Sequence, residues 1–467
     1  QQQQIEINLT ELLEILIQLL IGGGGGSSVN QNCQIFHDLD SSTHTFQLIK
    51  ILTTTSNSSI SGNNSGRNSS LSSSGGNNGK ESSRSNNNHR ESINKSIRKR
   101  AFTLIQQLIL SNNSEENLSQ LLVLLHRDRN SFNSVQEMLS LKLSVLKSLL
   151  IVLSENHRVR ALFRKIGGFV SVISVIVYME NYLIEIPPSS SIHSFDSRQI
   201  WNLLRFVFAM LTTAMRFEPA NSKYFAQEIC SPSFTDSLRL LGCFDELQFG
   251  WRKSTKMKQE QQQQQEEETK NYQKLFESNV DELQSNRKYS KNECACVLMR
   301  LLYDMAMDSL DRNIGGNKTG AQQQQSKQST NIIETNIIIY PCIIDSIFQL
   351  LKFIESGRLC RFLMEKIGAL LRLERNCQAI CETGLVTELM NSAYVDIFMD
   401  ESNQLHQLIR YIFERLAAHH IQAKDLRIFL RLSNPLNSIP VDEIKPKIFH
   451  RDRSIPLSRI KSMISIS

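Results

Sequence analysis

The chain has 467 residues, with 52 Lys and Arg against 46 Asp and Glu and a formal net charge of +6. So small a charge, spread along such a length, argues against a nucleic-acid-binding protein. Nine cysteines placed singly argue against a secreted disulfide scaffold, and no run reaches the ~18 apolar residues that a bilayer span needs.

Leu, Ile, Ser, Asn and Gln dominate, while Pro is scarce and aromatics are modest, which suits helices better than a β-rich fold. The chain opens on Gln1-Gln2-Gln3-Gln4 without an initiator Met and closes on Ser465-Ile466-Ser467, so both ends read as cut. Residues 1–52 read as a helical N-terminal segment. Residues 53–91 read as a disordered Ser/Asn-rich insert, because such a polar tract buries too little surface to offset the entropy of ordering it.

Residues 92–251 form the first helical region. Ile93–Leu110 and Glu115–Arg127 read as a hairpin across Ser111-Asn112-Asn113. Leu139, Leu143, Leu146, Leu150 and Leu153 then recur at alternating four- and three-residue steps, which lines one helix face. Ser140, Lys142, Ser144, Lys147 and Ser148 fall between them. The turn Asn156-His157-Arg158 precedes a short piece ending at Lys165. Gly167-Gly168 stops it, and Phe169–Met179 reads as another apolar helix. Short helix, Gly, longer helix is the unit of armadillo-like solenoids. Trp201, Leu204, Phe208, Leu211 and Met215 stripe a further helix, broadened by Leu203, Val207 and Met210 until it is buried on most sides. Pro219 prevents the helix ending at Phe217 from continuing, and Asn221 is placed to cap the next one.

A Gln/Glu-rich insert is expected over 252–270, a helical segment over 271–312 and a Gln-rich insert over 313–331. The second helical region is 332–434, where Pro341 opens a helix. There Asn376 leads to Ile380 and Gly384 as the counterpart of the Phe163–Gly167 spacing. Leu405, Leu408, Ile412, Phe413 and Leu416 form the last stripe. Pro435, Pro440 and Pro446 then break the helical pattern, and residues 457–464 are β-prone.

Chemistry is sparse. The run from Ser74 to Lys80 misses a phosphate loop at its first Gly, at the Ser/Thr position, where Glu81 stands, and for lack of a preceding strand. Cys294 and Cys296 point to different faces of a helix, and Cys377 with Cys381 lacks a second pair to complete a zinc site. His419-His420 suits a helix C-terminus. No catalytic, metal or cofactor site is expected, and Glu218 is read as structural. One cluster invites a partner: Arg158, Arg160, Arg164 and Lys165, around one turn, match an acidic peptide or an anionic lipid headgroup. The competing reading is a solvated turn. The basic tail from Lys445 to Lys461 lacks the aromatic interleaving of a single-strand nucleic-acid platform.

The segments HRVRALFRKIGGFV (157–170), LTTAMRFEPANSKYF (211–225), LRLLGCF (238–244), LRIFLRLSNPLN (426–437) and IPLSRIKSMIS (455–465) resemble one family, the large BEACH-domain proteins, and within it the branch of the autophagy-linked FYVE protein, ALFY. The resemblance runs from about Leu139 to Ser467 and breaks at the low-complexity inserts. It implies an all-α, armadillo-like helical solenoid upstream of concanavalin A-like, PH, BEACH and WD-repeat modules. Residues 435–467 would then be a linker and the first strand of a truncated concanavalin A-like domain. It also implies a non-catalytic scaffold in membrane traffic, especially selective autophagy of protein aggregates. Such a scaffold binds proteins through the solenoid and membranes through modules outside this chain. Its expected location is cytoplasmic, peripheral on endosomal, autophagic or vacuolar membranes. Two alternatives stand beside this: a self-standing armadillo-like adaptor, and a role in lysosomal or vacuolar traffic without autophagy. The residues read as structural, from the repeat spacing or from these motifs, are Gly167, Gly168, Pro219, Asn221, Asn376, Gly384 and Pro435.

Overall fold

The computed structural model describes residues 81–126, 135–184, 197–250, 262–278, 289–310, 337–391, 394–398 and 400–419, with a few single positions near either end (11, 12, 15, 421, 423 and 425). Among them every regular element is helical. Two compact units divide the chain: residues up to Tyr178 with Ser194–Phe225, and Met179–His193 with everything from Ala226.

In the first unit, α1 (Glu81–Asn112) reaches back into the stretch read as insert to residue 91. Asn113 turns the chain at φ 49°. Ser114 then caps α2 (Glu115–Val123), its side chain accepting from the Asn117 amide, and Glu115 and Glu116 complement the helix dipole. The central helix is α3 (Val135–Glu155), which packs on α1 and on α6 (Ser197–Met215). Its enclosed face is wider than the leucine stripe. Leu139, Leu146 and Leu153 are buried, Leu143 and Leu150 only half so, and Leu141, Val145, Leu149 and Val152 are fully enclosed. Lys142, which falls between the leucines of the stripe, is also buried. Its ammonium donates to the Leu125 carbonyl and stands 4.0 Å from the centre of the Tyr178 ring. A carbonyl and a π-face together satisfy a charge that apolar packing alone would expel.

The helix after α3 begins sooner than the sequence suggests. Only Asn156 serves as the turn; its Oδ1 accepts from the Arg158 amide at 3.0 Å, and α4 runs His157–Lys165. Gly167 follows in the left-handed region at φ 75° and Gly168 opens α5 (Gly168–Val177). The two glycines serve different ends. Gly167 is needed for its backbone angle. At Gly168 a Cβ would fall 2.3 Å from the Phe163 ring. That ring packs edge-on against Phe169 at 5.3 Å. Helix α6 is enclosed nearly all round, Thr212 and Thr213 included. Pro219 takes the first position of α7 (Pro219–Tyr224).

The second unit is built from α8 (Thr235–Arg239), α9 (Gln262–Glu277), α10 (Lys291–Ala306), α11 (Pro341–Leu351), α12 (Gly357–Leu370), α13 (Glu374–Cys381), α14 (Leu385–Asn391), α15 (Tyr394–Phe398) and α16 (His406–Ala417). Helix α9 lies partly in the stretch read as a Gln/Glu insert. Ser290 and Glu293 close a reciprocal capping box on α10. Pro341 stands at the first turn of α11, and Gly384, at φ 85°, separates α13 from α14. Tyr394 anchors the layer: fully buried, it donates its hydroxyl to the Phe348 carbonyl at 2.6 Å and meets the Phe249 ring edge-on at 5.2 Å. Pro435, the linker and the β-prone tail, like the inserts over 53–80 and 313–331, lie outside the described residues.

Candidate functional site

The basic turn is smaller than its sequence. Arg160 is buried, with Nε donating to the Leu153 carbonyl at 2.6 Å, Nη2 to Ser154 at 3.2 Å and Nη1 to Arg216. It holds α4 against the ends of α3 and α6 and cannot meet a partner. Lys165 pairs with Glu115 at 2.7 Å, both well exposed. Such a pair contributes little stability but lowers the local positive field. Arg158 is exposed and Arg164 half-buried, so these two remain of the four.

Asn221 and Asn376 are not caps. Each lies inside its helix, whose N-terminal positions belong to Glu218 and Leu373. Asn221 is fully buried, and its Nδ2 donates to the carbonyls of Arg160 and Ala214, both at 2.8 Å. Asn376 accepts at Oδ1 from the Ile338 amide at 3.0 Å and donates to the Leu370 carbonyl at 2.9 Å. Both amides bridge backbone groups of neighbouring segments: Asn221 two helices, Asn376 the end of α12 and the stretch leading into α11. An Asn before a short helix suggests a cap because the bonding groups are the same; only the partner's place in the fold separates the two roles.

The second unit contains a groove of about 2500 Å³ that no local motif announces. Its walls come from residues 180–184, 236–250, 268–273, 355–365 and 400–404, with Lys291 between them. Backbone bonds lock several of these segments together. The Asn181 amide donates to Leu240, the Asp245 amide to Phe353 at 2.7 Å and the Ser356 amide to the Asn292 side chain. The Arg239 guanidinium lies 3.8 Å from the Phe353 ring centre.

Charge in the groove is unbalanced. Lys291 pairs with Asp245, Arg358 with Glu268, Arg361 with Glu365, and Arg239 lies 3.8 Å from Asp236. Asp400 accepts from Ser402. Glu180, Glu246 and Glu355 are exposed on the same surface with no cation within ion-pair distance among the described residues. In the same lining Ile184, Leu240 and Leu247 present apolar side chains that are 45%, 40% and 64% exposed. The arrangement can hold an extended ligand.

The described cysteines are free, and all but Cys342 are buried. Burial pushes the Cys296 and Cys360 thiols up to about 12, which keeps them protonated and inert. No group of three His, Cys, Asp or Glu is placed to hold a metal ion among the described residues. No described helix is long and apolar enough to cross a membrane.

Helix pairs joined at left-handed glycines and bridged by buried amides define a helical-repeat fold. The chain belongs to the family of armadillo-like repeats, which matches residues 113–421. It is similar to the WD repeat- and FYVE domain-containing protein 4 of Mus musculus, with 24% identity over 341 residues, 68% of this chain and 11% of that protein. The same protein of Homo sapiens is 24% identical over 368 residues, 72% of this chain and 11% of the relative. The chain thus spans about a tenth of the relatives it matches. No solved structure matches it.

Proposed function

We propose that this chain is a non-catalytic scaffold region of a giant BEACH-type protein in membrane traffic, on the ALFY branch that serves selective autophagy of protein aggregates. The observation that carries this reading is the armadillo-like fold joined to similarity with a WD-repeat and FYVE-domain protein, of which the chain covers only 11%. Repeat helices stacked on one another create long surfaces suited to proteins rather than small substrates. In this reading, residues 92–251 and 332–434 are two parts of one helical region with low-complexity inserts between them. Residues 435–467 lead into a concanavalin A-like domain, membrane contact belongs to later modules, and the protein is cytoplasmic, peripheral on endosomal, autophagic or vacuolar membranes.

The test has two arms. An antibody against residues 139–250 should detect a polypeptide several times larger than this chain. A band at the size of the chain itself would instead establish a self-standing adaptor. Cells lacking the protein should accumulate protein aggregates. Normal aggregate clearance together with disturbed lysosomal or vacuolar traffic would remove autophagy from the proposal.

A further inference from the structure

We propose that the groove of the second unit takes a cationic peptide segment of a partner protein, one that carries leucine-like side chains between its Lys or Arg residues. The inference rests on the scaffold reading and adds the chemistry of what is bound. Three observations carry it. First, the groove's cations are outnumbered: eight carboxylates line it against Arg239, Lys270, Lys291, Arg358 and Arg361, and of these Lys291, Arg358 and Arg361 sit within 2.5–3.0 Å of carboxylates in the same walls while Lys270 is exposed. Glu180, Glu246 and Glu355 are left exposed without a cation among the described residues. Second, Ile184, Leu240 and Leu247 are solvent-exposed in the same groove lining, so apolar contact area is offered beside charge. Third, the walls are tied by backbone bonds from Asp245 to Phe353 and from Asn181 to Leu240. The groove is therefore largely formed before binding, which lowers the ordering cost of association.

The occupant's charge follows from contrast with the whole chain. At a net charge of +6, the overall field repels cations. A cationic peptide is drawn only where carboxylates are locally in surplus. An acidic peptide or an anionic membrane would meet three uncompensated glutamates and is disfavoured here. The exposed leucines separate the expected ligand from a bare polycation, which would gain nothing from them.

The experiment uses the full chain and two fluorescent synthetic decapeptides, one alternating Arg with Leu and the other Glu with Leu, read by anisotropy at low salt. The Arg/Leu peptide should bind saturably, weaken by about tenfold at high salt, and outcompete the Glu/Leu peptide. Joint reversal of Glu180→Lys, Glu246→Lys and Glu355→Lys should weaken binding at least about tenfold, and Leu247→Asp should weaken it several-fold. All four positions are exposed, so an unchanged thermal midpoint is expected and certifies folding. Joint reversal of Glu116, Glu155 and Glu382, exposed outside the groove, should leave binding unchanged. Equal loss from both triple reversals would mean non-specific attraction and overturn the proposal. So would failure of the wild-type chain to bind. Tighter binding after Arg252, Lys253, Lys256 and Lys258 are changed to Ser would assign the groove to the chain's own basic segment. Self-association lost on groove reversal would assign it to a second copy; either outcome overturns a partner peptide. None of these results bears on polypeptide size or aggregate clearance, so the scaffold reading stands or falls separately.

Discussion

The side-chain amide of Asn221 donates to the backbone carbonyl of Arg160, 61 positions earlier, at 2.8 Å, while the Arg160 guanidinium donates to the carbonyl of Arg216. Each residue thus ties its own helix to the other's surroundings through main-chain groups. A buried amide with two good acceptors is worth its position only while both bonds hold. Asn221→Ala strands two carbonyls in a dry site and should cost roughly 2–4 kcal/mol. Chemical denaturation should show a lower midpoint with an unchanged slope. A loss under about 0.5 kcal/mol would mean that water reaches those carbonyls.

The two adjacent glycines separate conformational strain from steric exclusion. Gly167→Ala places a side chain at φ 75° in open space, so only backbone strain opposes it, about 1 kcal/mol. Gly168→Ala drives a Cβ into the Phe163 ring and should cost more, roughly 1–3 kcal/mol. Shortening that ring by Phe163→Leu should make the second Gly168→Ala penalty smaller in a double-mutant cycle. Equal penalties with and without the ring would show that Phe163 does not hold Gly168 bare.

Apolar residues of α3 and α5 look alike in sequence and differ in place. Leu146 is wholly enclosed, whereas Val170 is 54% exposed. Leu146→Asp buries an unpaired carboxylate and should destabilise by several kcal/mol. Val170→Asp should stay within about 0.5 kcal/mol of the parent. Thermal melts of the two variants decide it: an unchanged midpoint for Leu146→Asp would take α3 out of the core.

What could be read along the chain was what repeats locally. The leucine steps of α3, the paired glycines and the proline at the start of α7 depend on neighbours within a few positions. The functions of Lys142 and Arg160 did not show, because charge predicts exposure unless distant carbonyls or a ring compensate it. Asn221 and Asn376 were visible as residues but not as bridges. The groove was hidden altogether. Its carboxylates come from segments far apart in sequence, and its local pairs, Arg361 with Glu365 and Arg239 with Asp236, resemble ordinary helix-surface pairs.

The buried thiols make a packing test that needs no substitution. Cys296 and Cys360 lie in α10 and α12, and burial raises both thiols to about 12. Only the thiolate reacts appreciably, so at pH 8 neither should take up a maleimide in the native state, while denaturant should expose both. Mass spectrometry of tryptic peptides reads each site. Fast native labelling of Cys360 would mean that the layer around α12 opens readily.

Asp345 provides the pH dependence. Burial raises its carboxyl from 3.8 to about 6; Glu388 adds to the rise, and Lys352 and the Gln349 amide oppose it. The folded state therefore binds a proton that the unfolded chain releases. The stabilisation from that proton is complete below about pH 4 and is lost as pH rises through about 6. Above that range the folded protein holds an ionised carboxylate in a partly dry site. The penalty is on the order of 2 kcal/mol once screening at its solvent-facing edge is allowed for. Asp345→Asn keeps an acceptor for Gln349 and removes the charge, so it should raise stability by about that amount at pH 7.5 and by almost nothing at pH 4. The sign is opposite to that of a salt-bridged carboxylate, so the pH series discriminates between the two. If Asp345→Asn lowered stability at pH 7.5, attraction to Lys352 would outweigh burial, and the carboxylate would be a structural partner of that lysine together with Glu388.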